Sequence, residues 1–149
     1  MNMDTFIIRA SRHELKYYNG KNFLDSFCGI KLKDFDPTQL MKLESLITGD
    51  DLFDINNRGY NIIGYSTEGI TYVDTSPQLL KALRTLTFSK KNEVLDKWCR
   101  CKEMQLYHSS PIKAAEVLDW LIKSSRDIDA FQKPLIVCMD NHCYERQPA

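Results

Sequence analysis

Asp50, Asp51 and Asp54 stand in the run Asp50-Asp51-Leu52-Phe53-Asp54. Carboxylates at that spacing on a helix can hold Mg²⁺ ions that bridge a diphosphate. The same acids suit a loop at a helix end, where they cap the following turn. They also suit an acidic spot facing a basic partner, and Asp34 and Asp36 just upstream extend such a patch. Asp4 with Glu14-Leu15-Lys16 has the residue types of a metal-dependent nuclease. That chemistry needs two acids on Mg²⁺ and a lysine beside the attacking water. Here the spacing is short, and Arg12-His13-Glu14 reads as a turn.

Basic residues concentrate between Lys81 and Lys102: Lys81, Arg84, Lys90, Lys91, Lys97, Arg100 and Lys102 face only Glu93 and Asp96. Lys90, Lys91, Lys97, Trp98, Arg100 and Lys102 have the composition of a surface that binds phosphates and stacks a base. The plainer reading is a solvated helix face whose lysine stems cover apolar surface. Tyr65 and Tyr72 flank a predicted turn, and tyrosines at such places serve contact surfaces as well as sheets.

Five cysteines, Cys28, Cys99, Cys101, Cys138 and Cys143, are an odd count in a chain of ample size. Reduced thiols in a cytoplasm fit this better than a disulfide framework. Zinc would draw on Cys99, Cys101, Cys138, Cys143 and His142, with His108 further off. Cys99-x-Cys101 is tighter than the usual spacing of a structural site, so no metal is expected. Cys143 or Cys28 is the candidate thiol nucleophile, provided that its pKa is depressed. Asp140 to Glu145 follow a predicted strand, where α/β folds often place ligands. No Ser-, Cys- or His-based catalytic motif stands out, the six glycines do not cluster, and no cofactor is expected.

The elements that must position these residues follow from caps and periodicity. Asp36-Pro37-Thr38-Gln39 starts a helix that carries Leu40, Leu43 and Ile47 on one face and stops at Gly49. Ser76-Pro77 and Ser110-Pro111 start two more, and a fourth begins after Ser89 with Val94, Leu95, Trp98 and Cys101 inward. Strands are predicted at 5–10 and 134–139, and a hairpin at 60–65 and 69–73. The first and last strands are expected to pair. The expected fold is α+β: a small mixed or antiparallel sheet of N-terminal strand, central hairpin and C-terminal strand, covered on one face by four or so helices.

The chain has 149 residues, balanced charge with 20 basic and 20 acidic side chains, and 43% hydrophobic residues. One globular domain over 1–149 is expected. A large all-helical bundle, which the magnesium-diphosphate reading needs, is excluded by this length and the β-rich runs. The balance also excludes a chain that binds nucleic acid by overall charge. Residues 1–80 hold 8 basic and 11 acidic groups, net −3, and residues 81–149 hold 12 and 9, net +3. No apolar run approaches the roughly 20 residues of a membrane span.

Two functional expectations follow. The first is a non-catalytic cytoplasmic module that neutralises or modulates a macromolecular partner, in the manner of an immunity protein, antitoxin or phage inhibitor. Its contact set is Asp34, Asp36, Asp50, Asp51, Asp54, Tyr65 and Tyr72, and its partner is a basic toxin or enzyme. The second is a nucleic-acid-binding protein or small nuclease-like enzyme that uses the basic 81–102 face.

Overall fold

The computed structural model describes residues 3–20, 22–106, 110–127 and 133–140. Five strands, β1 (Asp4–Arg9), β2 (Gly29–Lys33), β3 (Ile62–Tyr65), β4 (Ile70–Asp74) and β5 (Leu135–Asp140), form one sheet in the order β2-β1-β5-β4-β3. Every neighbouring pair is antiparallel. The helices are α1 (Arg12–Tyr17), α2 (Pro37–Thr48), α3 (Leu52–Asn56), α4 (Pro77–Arg84), α5 (Phe88–Arg100), α6 (Lys102–Leu106) and α7 (Pro111–Ser125), with a 3₁₀ turn at Phe23–Asp25. The fold is α+β, and the first and last strands pair as expected, Ile7 opposite Val137.

The apolar run of β5 takes the centre of the sheet because both its faces are covered. Leu135 and Val137 join Ile7, Val73 and the inward faces of α2, α4, α5 and α7 in one core. Ile136 and Cys138 join Phe6, Ile8, Ile70 and Tyr72 in a second core on the opposite face. That second core corrects the expectation of a sheet covered on one side. Its cover is α1, through Leu15, and the irregular segment after it, through Tyr18, Phe23 and Phe27. The Tyr18 ring lies 5.0 Å from Phe23 and 5.1 Å from Phe27, and Phe23 lies 5.2 Å from Phe6.

Helix starts use their sequence signals. Asp36 and Gln39 form a capping box on α2, and Gly49 closes that helix in the left-handed region at φ 80°. Ser76, Thr87 and Ser110 cap α4, α5 and α7. α5 therefore begins two residues earlier than Ser89 suggested. The segment Arg12-His13-Glu14 is helical rather than a turn, because Ser11 and Glu14 complete a second capping box.

Buried polar groups tie the layers. Arg9, at the end of β1, donates through its guanidinium to the carbonyls of Ser124, at 2.7 Å, and Lys133. This joins the C-terminal end of α7 to the approach of β5. Trp98 is fully buried and donates its indole N–H to the Gln39 carbonyl at 3.0 Å.

Candidate functional site

The five candidate acids come from α2, α3 and the loops around them, and most of them have local structural roles. Asp34 sits at φ 52° and accepts the Met3 amide at 2.8 Å, closing the β1–β2 end. Asp36 caps α2 by accepting the Thr38 amide at 2.8 Å. Asp50 pairs with Arg58 at 2.8 Å. Asp51 caps α3, accepting the Asp54 amide at 2.9 Å. Asp51 and Asp54 nevertheless remain exposed. The helical spacing that the magnesium reading needs is not formed, since Asp51 precedes the helix, and Asp50 is held by a cation. Among the described residues no group of three metal-ligating side chains converges.

Between Asp51 and Asp54 lie two residues that sequence reasoning passed over. Leu52 is 41% exposed and Phe53 is 75% exposed. Among the described residues they are the only large exposed apolar side chains that are sequence neighbours. α3 is five residues long and buries only Ile55, so its other apolar side chains face outward. A groove of about 420 Å³ runs beside them, lined by Thr38, Met41, Leu52, Phe53, Asn56 and Glu103. The signal was present as Leu-Phe inside an acidic run too short for a two-turn helix.

The position of α3 is fixed from below. Glu44 of α2 is completely buried and accepts from Arg58 at 2.7 Å and from the Tyr60 hydroxyl at 2.7 Å. Arg58 spans to Asp50 with its other amino group. Desolvation works against the Arg58 charge, but Asp50 and Glu44 together raise its pKa. Burial and then Glu44 push the Tyr60 phenol far above its ordinary range, so it remains a donor. Tyr60, expected to open a strand, instead precedes β3 at φ 63°. A tyrosine there costs roughly 1 kcal/mol, which the buried hydrogen bond offsets. The loops at both ends of α3 are thus joined through Arg58, which is itself held by one buried carboxylate.

Tyr65 and Tyr72 both line a second groove, of about 610 Å³, between α1 and the β3–β4 hairpin. Tyr65 is exposed, whereas Tyr72 is buried in the second core. Burial, and next the Cys138 thiol, raise the Tyr72 pKa, with the Ser66 hydroxyl acting in the opposite sense. Tyr72 therefore forms part of the floor of this groove.

On α5 the cations are distributed among acids. Lys97 meets Glu93 at 3.1 Å, Lys90 approaches Glu93 at 3.8 Å, and Arg100 meets Asp96 at 3.0 Å. Lys91 reaches Asp119 of α7 at 2.5 Å. Lys97 and Lys90 hold the Glu93 carboxyl below its usual range. Lys102 is exposed at the start of α6. Trp98 corrects the sequence reading, because full burial leaves no indole face for a base. The result is a mixed-charge surface on which Trp98 offers no stacking platform and the exposed ring is that of Phe88, at the start of α5. Electrophoresis at low ionic strength with single- and double-stranded probes is expected to show no retarded band. A band abolished by Lys90→Glu/Lys91→Glu would restore the nucleic-acid reading.

The nuclease-like acids do not meet. Asp4 opens β1 and pairs with Lys33 and Lys31, while Glu14 lies beyond the strand's other end, about 17 Å of strand later. Glu14 accepts the Ser11 amide at 3.1 Å and pairs with Lys133 at 3.4 Å. Its pKa is lowered, first by Ser11 and then by Lys133 against a desolvation that raises it. Of the thiols, Cys28 is exposed, burial raises Cys101, and burial raises Cys138 strongly enough to keep it inert. His108, His142, Cys143 and 141–145 lie outside the described residues. Among the described residues no helix is long and apolar enough to cross a membrane.

No protein-family model matches the chain, and no curated protein or solved structure is similar to it.

Proposed function

We propose that this protein is a non-catalytic module of the cytoplasm that neutralises or modulates a protein partner, in the manner of an immunity protein, antitoxin or phage inhibitor. The observation that carries this reading is α3: Leu52 and Phe53 stand exposed between Asp51 and Asp54 on a helix anchored by a buried ion network. Fully burying one such apolar side chain is worth about 1.5–3 kcal/mol. Aromatic side chains, phenylalanine among them, are enriched in interfaces, and polar residues form their rim. The flanking acids select a basic partner and speed its encounter more than they add affinity. Free thiols at Cys28, Cys99, Cys101 and Cys138 support a reducing compartment.

The test places a photo-crosslinking benzoylphenylalanine at position 53 in the cells that make the protein. Irradiation is expected to yield one predominant adduct with a basic protein. Asp51→Asn/Asp54→Lys should abolish it, since asparagine preserves the helix cap while the acidic rim is lost. The same probe at Lys97 should give no such adduct. Equal labelling from positions 53 and 97 overturns the proposal.

A further inference from the structure

The groove between α1 and the β3–β4 hairpin lies on the face of the sheet opposite the helical core that α3 joins through Ile55. Three features of its walls converge on one kind of occupant.

The first is the edge it borders. β2 and β3 are the two outer strands of the sheet. An outer strand presents unpaired backbone groups, and charged side chains commonly block it. β2 carries Lys31 and Lys33. β3 reads Ile62-Ile63-Gly64-Tyr65, without a charge, and Ile62 and Tyr65 are 56% and 68% exposed. A bulge between Ile62 and Gly64 disturbs only the start of its pairing with β4. Among the described residues one edge of the sheet is thus guarded by charge, and the other only by its shortness and this bulge.

The second is Gly64. Its backbone is outside the left-handed region, and an added Cβ would meet only Tyr72 Cδ2, at 3.8 Å, an ordinary contact. Neither conformation nor space requires a glycine there. A glycine within a strand marks a bulge, as here, or a place where another backbone approaches closely, and this one leaves the Tyr72 ring uncovered on that side.

The third is charge. Arg12 and Lys16 stand exposed on the α1 wall, and among the described residues no carboxylate lines the groove. Arg12 leans on Asp74 at 3.2 Å, while Lys16 lies over the Tyr17 ring at 5.7 Å. Exposed Tyr17 and Tyr65 supply contact area, and Ser66 and Thr67 supply hydroxyls.

We propose that this groove binds an acidic, extended segment of a partner protein, which adds beside β3 as a sixth strand. Its backbone runs alongside Gly64, and its carboxylates on the groove side meet Lys16 and Arg12. Strand addition draws affinity from main-chain hydrogen bonds and selectivity from the side chains around them. Cations and tyrosines would also suit single-stranded nucleic acid, but a sugar-phosphate backbone cannot continue the ladder of β3. The groove is separate from α3, so its occupancy stands or falls independently of what α3 contacts.

Fluorescence anisotropy with a short labelled peptide of alternating valine and glutamate tests this. Saturable binding is expected, with protection of the 62–65 amides from hydrogen exchange. The valine–lysine counterpart should not bind. Gly64→Leu, which fills the floor, and Lys16→Glu, an exposed reversal, should each weaken binding by about tenfold while melting like the wild type. Should Gly64→Leu melt early, Lys16→Glu decides alone. Absence of binding, equal binding of the lysine peptide, indifference to Lys16→Glu, or preference for oligothymidylate overturns the proposal.

Discussion

Arg58→Met is expected to destabilise the protein by about 3 kcal/mol, near the lower end for breaking a buried ion pair. Arg58 retains 23% side-chain exposure, so water screens part of its charge, which sets the lower end. Glu44 has no such relief. It is fully buried and would keep only the Tyr60 hydroxyl, leaving a carboxylate in the core without a cation. Methionine retains much of the apolar stem, so the loss reports the missing charge more than a cavity. Glu44→Gln in the same chain should restore most of the stability, because removing both charges costs far less than removing one. Urea denaturation of the single and double variants measures both quantities. A single-variant loss below about 1 kcal/mol, the scale of an exposed pair, would show that the network does not anchor α3. The consequence for function is specific. Asp50 and Arg58 flank α3 on either side, so their separation frees both loops that aim Phe53. The rescued double variant tests this independently, since it regains stability without regaining the Asp50–Arg58 bridge.

The core elements were legible because their signals are local. Asp36-Pro37 with Gln39, and Gly49 twelve residues beyond Pro37, state both ends of α2 within one segment. The capping reading of Asp51 rests on the same logic. Two missed elements also carried local signals. Ser11-x-x-Glu14 is a capping box, and Ile30-Lys31-Leu32-Lys33 alternates with the period of a strand that has one buried side. The second core left no such trace. Tyr18, Phe23 and Phe27 sit in an irregular segment with no helical or strand period, and they cover the sheet because their rings pack on one another. The groove was illegible for a different reason. Its α1 and hairpin walls lie far apart in the chain, and only the sheet order brings them together. Exposure of Phe53 was similarly hidden, since an aromatic in a short segment reads equally as core or as contact surface.

Trp98→Ala is the substitution with the largest expected effect, a loss of about 3–5 kcal/mol for deleting a fully buried large aromatic. Trp98 lies between α5 and α2 and meets the Phe35 ring edge-on at 6.5 Å. Its indole donates to Gln39, whose own side chain accepts the Asp36 amide and donates to the Glu103 carbonyl. One residue therefore joins α5, the cap of α2 and α6. Trp98→Phe should cost less, about 1–3 kcal/mol, because the aromatic packing largely survives while the buried Gln39 carbonyl loses its indole partner. The ordering of the two variants separates packing from hydrogen bonding, and thermal and urea unfolding both report it. The same pair decides between the two roles open to a tryptophan in a lysine-rich helix. A stacking platform can be removed with the fold intact, and only nucleic-acid binding suffers. A core tryptophan takes cooperative unfolding with it. Native-like stability of Trp98→Ala would place the indole outside the core and reopen α5 as a nucleic-acid surface.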